Sequence, residues 1–295
     1  MPFRVGIGII TFNRKDLVDS TIARVRALTR ESDAALVIAD DGSSDGTLEM
    51  LRDKGVPMIT GINMGIAWNK NRALFLLSHL LGCSTVILLE DDTQPASAGW
   101  EAPWVLAAQR WGHVNYAGDW MREYFVSGSG TPGDPVESTM VTAQCAAYSH
   151  AALTYAGYFD PRFKGYGHEH VEHSRRLIRL GFGGSDGEHD GKERVLYKMI
   201  AGGVTVLPAK SHFDPAVNER NLLLARQIIG RQDYRMPWGN DRELRQFRSE
   251  MESAMRDGPA RFVLHGDEAR DFASAPSRYG LLNRLLRSSH GGRMI

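Results

Sequence analysis

The sequence predicts an α/β fold with a mostly parallel sheet and helices on both of its faces. Through residues 5–89, short apolar runs alternate with segments whose apolar residues have helical spacing. This strand–helix order repeats over four predicted strands, which is typical of a parallel sheet. The chain has 295 residues, of which 42% are hydrophobic and 24% charged, so it can bury a sizeable core as a soluble globular protein.

The first half is predicted element by element. Helix 16–29 places Leu17, Val18 and Ile22 on one face, and a second helix begins after Asp45 and is stopped by Gly55. The apolar stretch 73–89 contains polar residues and Gly82, so we interpret it as the end of a buried helix, a turn and a strand. Strands are expected at residues 5–10, 35–39, 57–60 and 85–89, and a third helix at 66–81.

The second half is less regular. Residues 127–135 and 185–191 are rich in Gly and polar residues and are expected to be loops, whereas 204–207 is expected to be a strand. From residue 218 the chain is polar and helical through 256. We expect one α/β domain over residues 1–215 and a mostly helical extension over 216–295, frayed at its end.

Charge and cysteine content exclude several classes of protein. Thirty-five basic residues balance thirty-five acidic ones, so no overall charge attracts nucleic acid, and no nucleic-acid partner is expected. Cys83 and Cys145 are too few for a disulfide framework or a four-cysteine zinc site. With no signal peptide and no transmembrane segment, we expect a cytoplasmic protein, free or peripheral to a membrane.

The strongest single motif is an apolar strand that ends in Glu90, Asp91 and Asp92. Three adjacent carboxylates repel one another unless a cation lies among them. Oxygen ligands of this kind suit Mg²⁺ or Mn²⁺ held together with substrate phosphates. A solvated acidic turn is the competing interpretation.

A second strand ends in Asp40 and Asp41, within the run Asp-Asp-Gly-Ser-Ser-Asp-Gly-Thr. Asp45 in this run is expected to cap the next helix. Because that leaves Asp41 without a structural duty, we expect its carboxylate to accept hydrogen bonds from a ligand.

Two glycine-rich turns follow. Asn63 and Gly65 precede a helix whose N-terminus favours anions. The run Gly-Tyr-Gly-His at 165–168 leads to Glu169 and His170 at another helix start, and either residue suits general-base chemistry. The spacing of the histidines and glutamates here fits neither a zinc protease nor a zinc deaminase.

Taken together, in this order and spacing, the four motifs closely resemble a family-2-type glycosyltransferase of the GT-A fold, over residues 5–212. The resemblance implies a Rossmann-type sheet in residues 1–215 and a nucleotide-sugar donor, UDP-sugar favoured, lying across the strand ends. It implies a divalent cation bound by Asp92 and a late histidine, His212, and an acceptor hydroxyl attacked in one inverting displacement. The nucleotide-sugar-binding residues that we infer are Thr11, Phe12, Arg14, Asp40, Asp41, Asn63, Gly65, Asn71, Glu90 and Asp91.

One departure from the family pattern concerns the base. Where the pattern has Gly-x-Glu-Asp, this sequence has Glu169 followed by His170. The resemblance therefore leaves His170 or Glu169 as the catalytic base, or a base elsewhere. The acceptor stays open among a glycan, a lipid-linked intermediate, a protein and a small molecule, and so does the oligomeric state.

The alternatives are a nucleotidyltransferase of related topology and a non-catalytic nucleotide- or carbohydrate-binding module. The first would have a Gly-rich loop after the first strand, which residues 10–15 lack. The second is supported only by the Glu169-His170 departure. An NAD enzyme is disfavoured, because no Gly-x-Gly-x-x-Gly follows a predicted strand.

Overall fold

The first part of the chain folds in the predicted alternation of strands and helices. The structure is a computed structural model that describes residues 5–189, 191–209 and 214–256. Its first elements are β1 (Val5–Thr11), α1 (Lys15–Leu28), β2 (Ala34–Asp40), α2 (Thr47–Asp53), β3 (Met58–Thr60), α3 (Ile66–Leu74) and β4 (Thr85–Glu90). The predicted helix 66–81 is one continuous unit, but its last part, Phe75–Leu80, is wound as a π-helix.

Within the described residues, the remaining elements add further strands, five α-helices and one 3₁₀ helix to this alternation. In chain order they are β5 (Thr93–Pro95), α4 (Glu101–Trp111), β6 (His113–Tyr116), a 3₁₀ helix (Asp119–Tyr124), β7 (Phe125–Ser127), β8 (Val136–Ser138), β9 (Cys145–Ser149), α5 (His150–Ala156), α6 (Glu169–Arg179), β10 (Gly184–His189), β11 (Lys192–Ile200), β12 (Val204–Val206), α7 (Pro215–Ile228) and α8 (Asp241–Arg256).

A ten-stranded sheet has the order β3-β2-β1-β4-β9-β6-β11-β8-β7, with β10 paired to β11. Strands β3, β2, β1 and β4 are parallel, and the antiparallel β9 joins them to β6. A small second sheet pairs β12 with β5. The predicted α/β class with helices around a central sheet is therefore confirmed, and the parallel half of the sheet is the part that was predicted strand by strand.

Alternate side chains of the parallel strands enter two separate cores. Ile7, Ile9 and Ile38 pack with α1, α2 and α4 on one face. Val37 and Leu88 pack with α3 on the other. This alternation follows from the two-residue period of a strand, and it explains why these strands are apolar throughout.

One loop prediction is wrong. Residues Gly184–His189 form strand β10, which pairs antiparallel with β11. Its glycines and polar residues suggested a loop, but backbone pairing with a neighbour is enough to hold an edge strand whose side chains bury little. The predicted strand at 204–207 and the loop between β7 and β8 are present.

The polar C-terminal segment forms two helices, α7 and α8, where one helical stretch was predicted. Ala225 of α7 and Phe247 and Met251 of α8 belong to the same core as α3. The structure therefore joins both helices to the core of the α/β domain. Residues 257–295, which include the predicted frayed end, lie outside the described residues, and the predicted boundary at 215/216 stays a prediction.

Candidate active site

The carboxyl ends of β1, β2 and β4 lie side by side, because the three strands are parallel and in close register. Thr11 is paired with Asp40, and Ile10 with Glu90. The polar segments that follow these strands are therefore neighbours at one edge of the sheet, which is where ligands bind in open α/β sheets.

A cavity of about 260 Å³ opens at this edge. Eight predicted donor-binding residues line it, namely Thr11, Phe12, Arg14, Asp41, Asn63, Gly65, Glu90 and Asp91. Seven further residues line it without having been predicted, namely Ile10, Ile66, Asn69, Gly165, Tyr166, Asp214 and Val217. The structure thus brings most of the predicted set together around one space.

Asp41 is buried and held by three donors. Its Oδ1 accepts from the backbone N–H of Met64 at 3.0 Å and from Nη1 of Arg72 at 2.9 Å, and its Oδ2 accepts from the backbone N–H of Gly65 at 2.9 Å. Burial raises the pKa of Asp41, and Arg72 opposes that shift. The interpretation that Asp41 has no structural duty is therefore wrong, since it anchors the turn at residues 63–65 while it lines the cavity.

Two of the predicted donor-binding residues lie away from the cavity. Asp40 is fully buried, and its Oδ1 accepts from the N–H groups of Gly42 and Ser43, each at 2.9 Å. Asn71 is also fully buried, and its amide exchanges hydrogen bonds with the backbone of Phe159. These contacts give both residues structural duties.

The turn at Gly65 meets the second glycine-rich turn. Gly65 has φ of +93°, and a Cβ atom on it would lie 2.4 Å from the nitrogen of Gly165. The N–H of Ile66 donates to the carbonyl of Gly165 at 3.0 Å. Only glycine allows this backbone conformation and this approach, so the two turns predicted separately form one wall of the site.

The acidic end of β4 is neutralised in part by the protein's own cations. Asp91 accepts from Oγ of Thr11 and from Nη1 of Arg14, both at 2.8 Å. Arg14 also lies 3.4 Å from Asp92. Burial raises the pKa of Asp91, and burial together with Asp91 raises the pKa of Asp92. The expected repulsion among these carboxylates is therefore present and only partly relieved.

Asp92 has the chemistry of a ligand for a divalent ion. Among the described residues, its two oxygens make only long contacts, at 3.3 Å with Thr93 and 3.4 Å with Arg14, and its side chain is 14% exposed. Burial and the neighbouring Asp91 both disfavour the ionised form of Asp92, and a hard cation bound here would stabilise that form. Within the described residues no three His, Cys, Asp or Glu side chains form a metal site. His212 lies outside the described residues, so its predicted part in the site stays a prediction.

Lys70 joins the acidic strand end to the predicted base. It is buried, with Nζ 3.4 Å from Glu90 and 3.2 Å from Glu169. Although burial opposes the charge of Lys70, these two carboxylates raise its pKa. Burial in turn disfavours the charge of Glu169, but Lys70 lowers the pKa of Glu169 well below its usual range. The sequence analysis did not identify Lys70. Its one sequence signal is that it is a charged residue in a segment predicted to be a buried helix.

Glu169 and His170 begin α6 directly after the turn. Glu169 is 1% exposed, and its Oε2 accepts from the N–H of Gly167 at 3.1 Å. Nδ1 of His170 lies 3.5 Å from Oε1 of Glu169. The carboxylate of Glu169 thus lies next to the buried Nδ1 of His170, without a hydrogen bond between them. Farther along α6, Glu172 and Arg176 form a buried ion pair, with Nε of Arg176 3.0 Å from Oε1 of Glu172.

The comparisons with known proteins bear on the family and the fold of the chain. Residues 7–142 match the family described as Glycosyl transferase family 2. No curated protein sequence is significantly similar. The structure of GalNAc-T7 with UDP, GalNAc and Mn²⁺ aligns at 13% identity with a TM-score of 0.56, covering 86% of this chain and 56% of that one. The mannosyltransferase PcManGT from Pyrobaculum calidifontis, in complex with GDP-Man and Mn²⁺, aligns at 15% identity with a TM-score of 0.46, covering 99% of this chain and 76% of that one.

The fold and the matched region define the class of protein, which is a glycosyltransferase of the GT-A fold. Within that class, residues 7–142 match glycosyl transferase family 2, so the predicted resemblance is confirmed, as is the prediction of an enzyme that transfers sugars. The chain spans little more than half the length of GalNAc-T7. Of the helices that the structure describes, none has the length and apolarity to cross a bilayer.

Proposed function

We propose that this enzyme transfers a sugar from a nucleoside-diphosphate sugar, UDP-sugar favoured, to an acceptor hydroxyl with inversion at the anomeric carbon. The observation that carries the proposal is the convergence of eight predicted donor-binding residues on one cavity at the ends of parallel strands. No single motif would support it, since acidic turns and glycine turns are common; their meeting in one space is what a bound nucleotide needs.

In this proposal, the nucleobase of the donor lies at Phe12 and Asp41. Phe12 lines the cavity and offers an aromatic face to a nucleobase. Asp41 lines the same cavity with its Oδ2 engaged by one N–H, so this oxygen keeps a lone pair for a donor group on the base. The held geometry of Asp41 favours recognition, because its carboxylate needs no ordering when the base binds.

The diphosphate end lies at Arg14 and the β4 carboxylates. Arg14 is a permanent cation beside the cavity and pairs with Asp91. Asp92 would hold Mn²⁺ or Mg²⁺ with an oxygen ligand, and His212 is proposed as a second ligand. When bound, the cation would stabilise the charge that develops on the departing diphosphate.

His170 is the proposed base, with Glu169 as its orienting partner. Glu169 is unsuited to take the proton, because the Lys70 ammonium 3.2 Å away stabilises its ionised form. In the transfer step, Nε2 of His170 accepts the hydroxyl proton, and the acceptor oxygen forms its bond to the anomeric carbon. The bond from that carbon to the diphosphate oxygen breaks, and its electron pair leaves with the diphosphate.

Product analysis tests this function. The protein is incubated with UDP-, GDP- and dTDP-sugars, with Mn²⁺ or with chelator, with a panel of sugar acceptors, and NMR reports the anomeric configuration of the product. We expect release of one nucleoside diphosphate only with the metal, and a product of inverted configuration. Transfer that persists in chelator contradicts the metal assignment, and a retained configuration contradicts the single displacement.

A charge-matched surface variant controls for general effects. Asp119→Asn removes a carboxylate that is 90% exposed and pairs only with Arg122 among the contacts of the described residues. It should transfer sugar at the rate of the unaltered enzyme. Loss of transfer in Asp119→Asn would show that removing any carboxylate impairs the protein, and the site variants would then carry no information.

A further inference from the structure

Helix α8 reaches into the donor site through Arg72, although it lies outside the matched region 7–142. Arg72 is fully buried on α3, and its Nη1 donates to Asp41 at 2.9 Å. Its Nε and Nη2 donate to the two carboxylate oxygens of Glu250, on α8, at 3.0 and 3.1 Å. One edge of the guanidinium thus donates to Glu250, and its other terminal nitrogen donates to Asp41.

Glu250 is itself held from several directions. It is 7% exposed, and its Oε2 also accepts from Nε1 of Trp68 at 3.1 Å. Phe247, one turn earlier on α8, packs edge-on against Trp68 with ring centroids 5.4 Å apart. A bidentate arginine–carboxylate pair fixed in this way has a defined direction as well as a charge.

The turn that carries Asn63 and Gly65 rests on the same pair. Nη2 of Arg72 donates to the carbonyl of Ile62 at 2.9 Å. A Cβ atom on Gly61 would lie 2.1 Å from Oε1 of Glu250 and 2.7 Å from Nη2 of Arg72, so the turn approaches the pair as closely as glycine allows. Arg72 therefore touches both Asp41 and the turn that closes over it, while Glu250 binds the opposite edge of its guanidinium.

We infer that Glu250 is a positioning residue for nucleotide recognition, which acts through Arg72 on Asp41 and on the turn at residues 61–65. This inference rests on the proposed function of the cavity. Helix α8 would then contribute to the donor site through Glu250, which positions Arg72. Without Glu250, Arg72 keeps its bonds to Asp41, to Asn69 and to the carbonyls of Asp40 and Ile62, but it loses the two bonds to the carboxylate. The guanidinium is then held less firmly, so Asp41 and the turn at residues 61–65 gain freedom that donor binding must remove.

The effect should appear in donor affinity and not in the chemical step. Glu250→Ala should raise the donor Kd and KM about 10-fold, since an oriented hydrogen bond to a charged group is at stake, and should leave kcat within about twofold. Glu250→Gln keeps the size of the side chain and one acceptor for Arg72, so it should raise Kd only about threefold. This second variant carries the test if Glu250→Ala does not fold.

Met251→Ala is the matched control, because Met251 is fully buried on the same helix and belongs to the apolar core. It should lower the Tm through a lost core contact and leave the donor Kd unchanged. A purely structural role for Glu250 predicts the same pattern in Glu250→Ala. Equal donor affinities in the two variants, after comparison at temperatures well below both Tm values, would overturn the inference.

A double-mutant cycle with Asp41→Ala tests the path. If Glu250 acts through Asp41 and its turn, Glu250→Ala should raise Kd by less in the Asp41→Ala background than in the unaltered protein. Fold-changes that simply multiply would overturn the inference. Absence of nucleotide-sugar binding by the unaltered protein would overturn the proposed function itself, whereas binding that ignores Glu250 overturns only this inference.

Discussion

The two acidic strand ends of this enzyme look alike in sequence but differ in how the protein satisfies them. After β2, Asp41 accepts three hydrogen bonds of 2.9–3.0 Å from Met64, Gly65 and Arg72. After β4, the contacts of Asp92 within the described part of the chain are longer, 3.3 Å with Thr93 and 3.4 Å with Arg14. The first carboxylate is fixed within the fold, and the second keeps most of its capacity to bind something else.

This difference indicates that the two carboxylates have different functions. A carboxylate whose partners are backbone N–H groups and a buried arginine holds one geometry, which suits recognition of a base. A carboxylate with long contacts, beside a second carboxylate, is stabilised when a cation arrives. We therefore divide the site into a recognising half at the end of β2, with Asp41, and a reacting half at the end of β4, with Asp92. Each variant below tests this division.

The largest effect is expected at the β4 end. Asp92→Asn removes a charged oxygen ligand and should abolish sugar transfer, a loss of about 10⁴-fold or more, because a bound cation contributes several kcal/mol and each 1.36 kcal/mol is tenfold. The Tm should not fall, since the variant also relieves repulsion by Asp91. Transfer assays over a range of Mn²⁺ concentrations measure the loss, and near-normal turnover in this variant would remove Asp92 from the metal site.

The next effect concerns His170, which Lys70 and Glu169 connect to the same end. His170→Ala should lower turnover about 10²–10⁴-fold, the usual contribution of a general base, with donor affinity unchanged. Single-turnover rates and donor titration separate the two quantities. If Glu169→Gln loses turnover and His170→Ala keeps it, the base is Glu169; if both keep it, neither residue is the base.

At the recognising half, Asp41→Ala should weaken nucleotide affinity by about 1.5–3 kcal/mol, the range for hydrogen bonds to a charged group. The variant should bind all nucleotides more nearly alike, because the base is no longer read. Calorimetry with UDP, GDP and dTDP measures both effects. Unchanged affinity for all three would reject base recognition by Asp41.

The smallest effect on binding is expected next to Asp41. Asp40→Ala removes the acceptor for the N–H groups of Gly42 and Ser43, so it should lower the free energy of unfolding by roughly 1–3 kcal/mol. Because Asp40 lies away from the cavity, donor affinity should change by less than about twofold. A loss of affinity as large as that of Asp41→Ala would mean that the two neighbours act as one unit.

The sequence predicted the parallel half of the sheet and the strand-end residues, because both follow from short-range patterns. The apolar runs fixed which face each strand side chain enters, and the strand ends then placed Asp41 and Asp91 at one edge. The sequence did not distinguish Asp40 from Asp41, because the backbone conformation after β2 decides which of the two carboxylates faces the cavity.

Contacts between distant parts of the chain could not be predicted. Lys70 meets Glu169, and Arg72 meets Glu250, across separations that no local pattern encodes. The strand β10 was missed for a related reason, since its pairing with β11 and not its composition makes it a strand. These long-range pairs are also what link the donor cavity to the predicted base and to the C-terminal helix.

The division of the site is tested most directly by calorimetric titration of a UDP-sugar with and without Mn²⁺, in the unaltered enzyme, Asp92→Asn and Asp41→Ala. Mn²⁺ should strengthen donor binding in the unaltered enzyme and in Asp41→Ala, and should have no effect in Asp92→Asn. Donor binding should be weaker in Asp41→Ala at every metal concentration. Equal Mn²⁺ dependence in all three proteins would contradict the division of the site into a recognising and a reacting half.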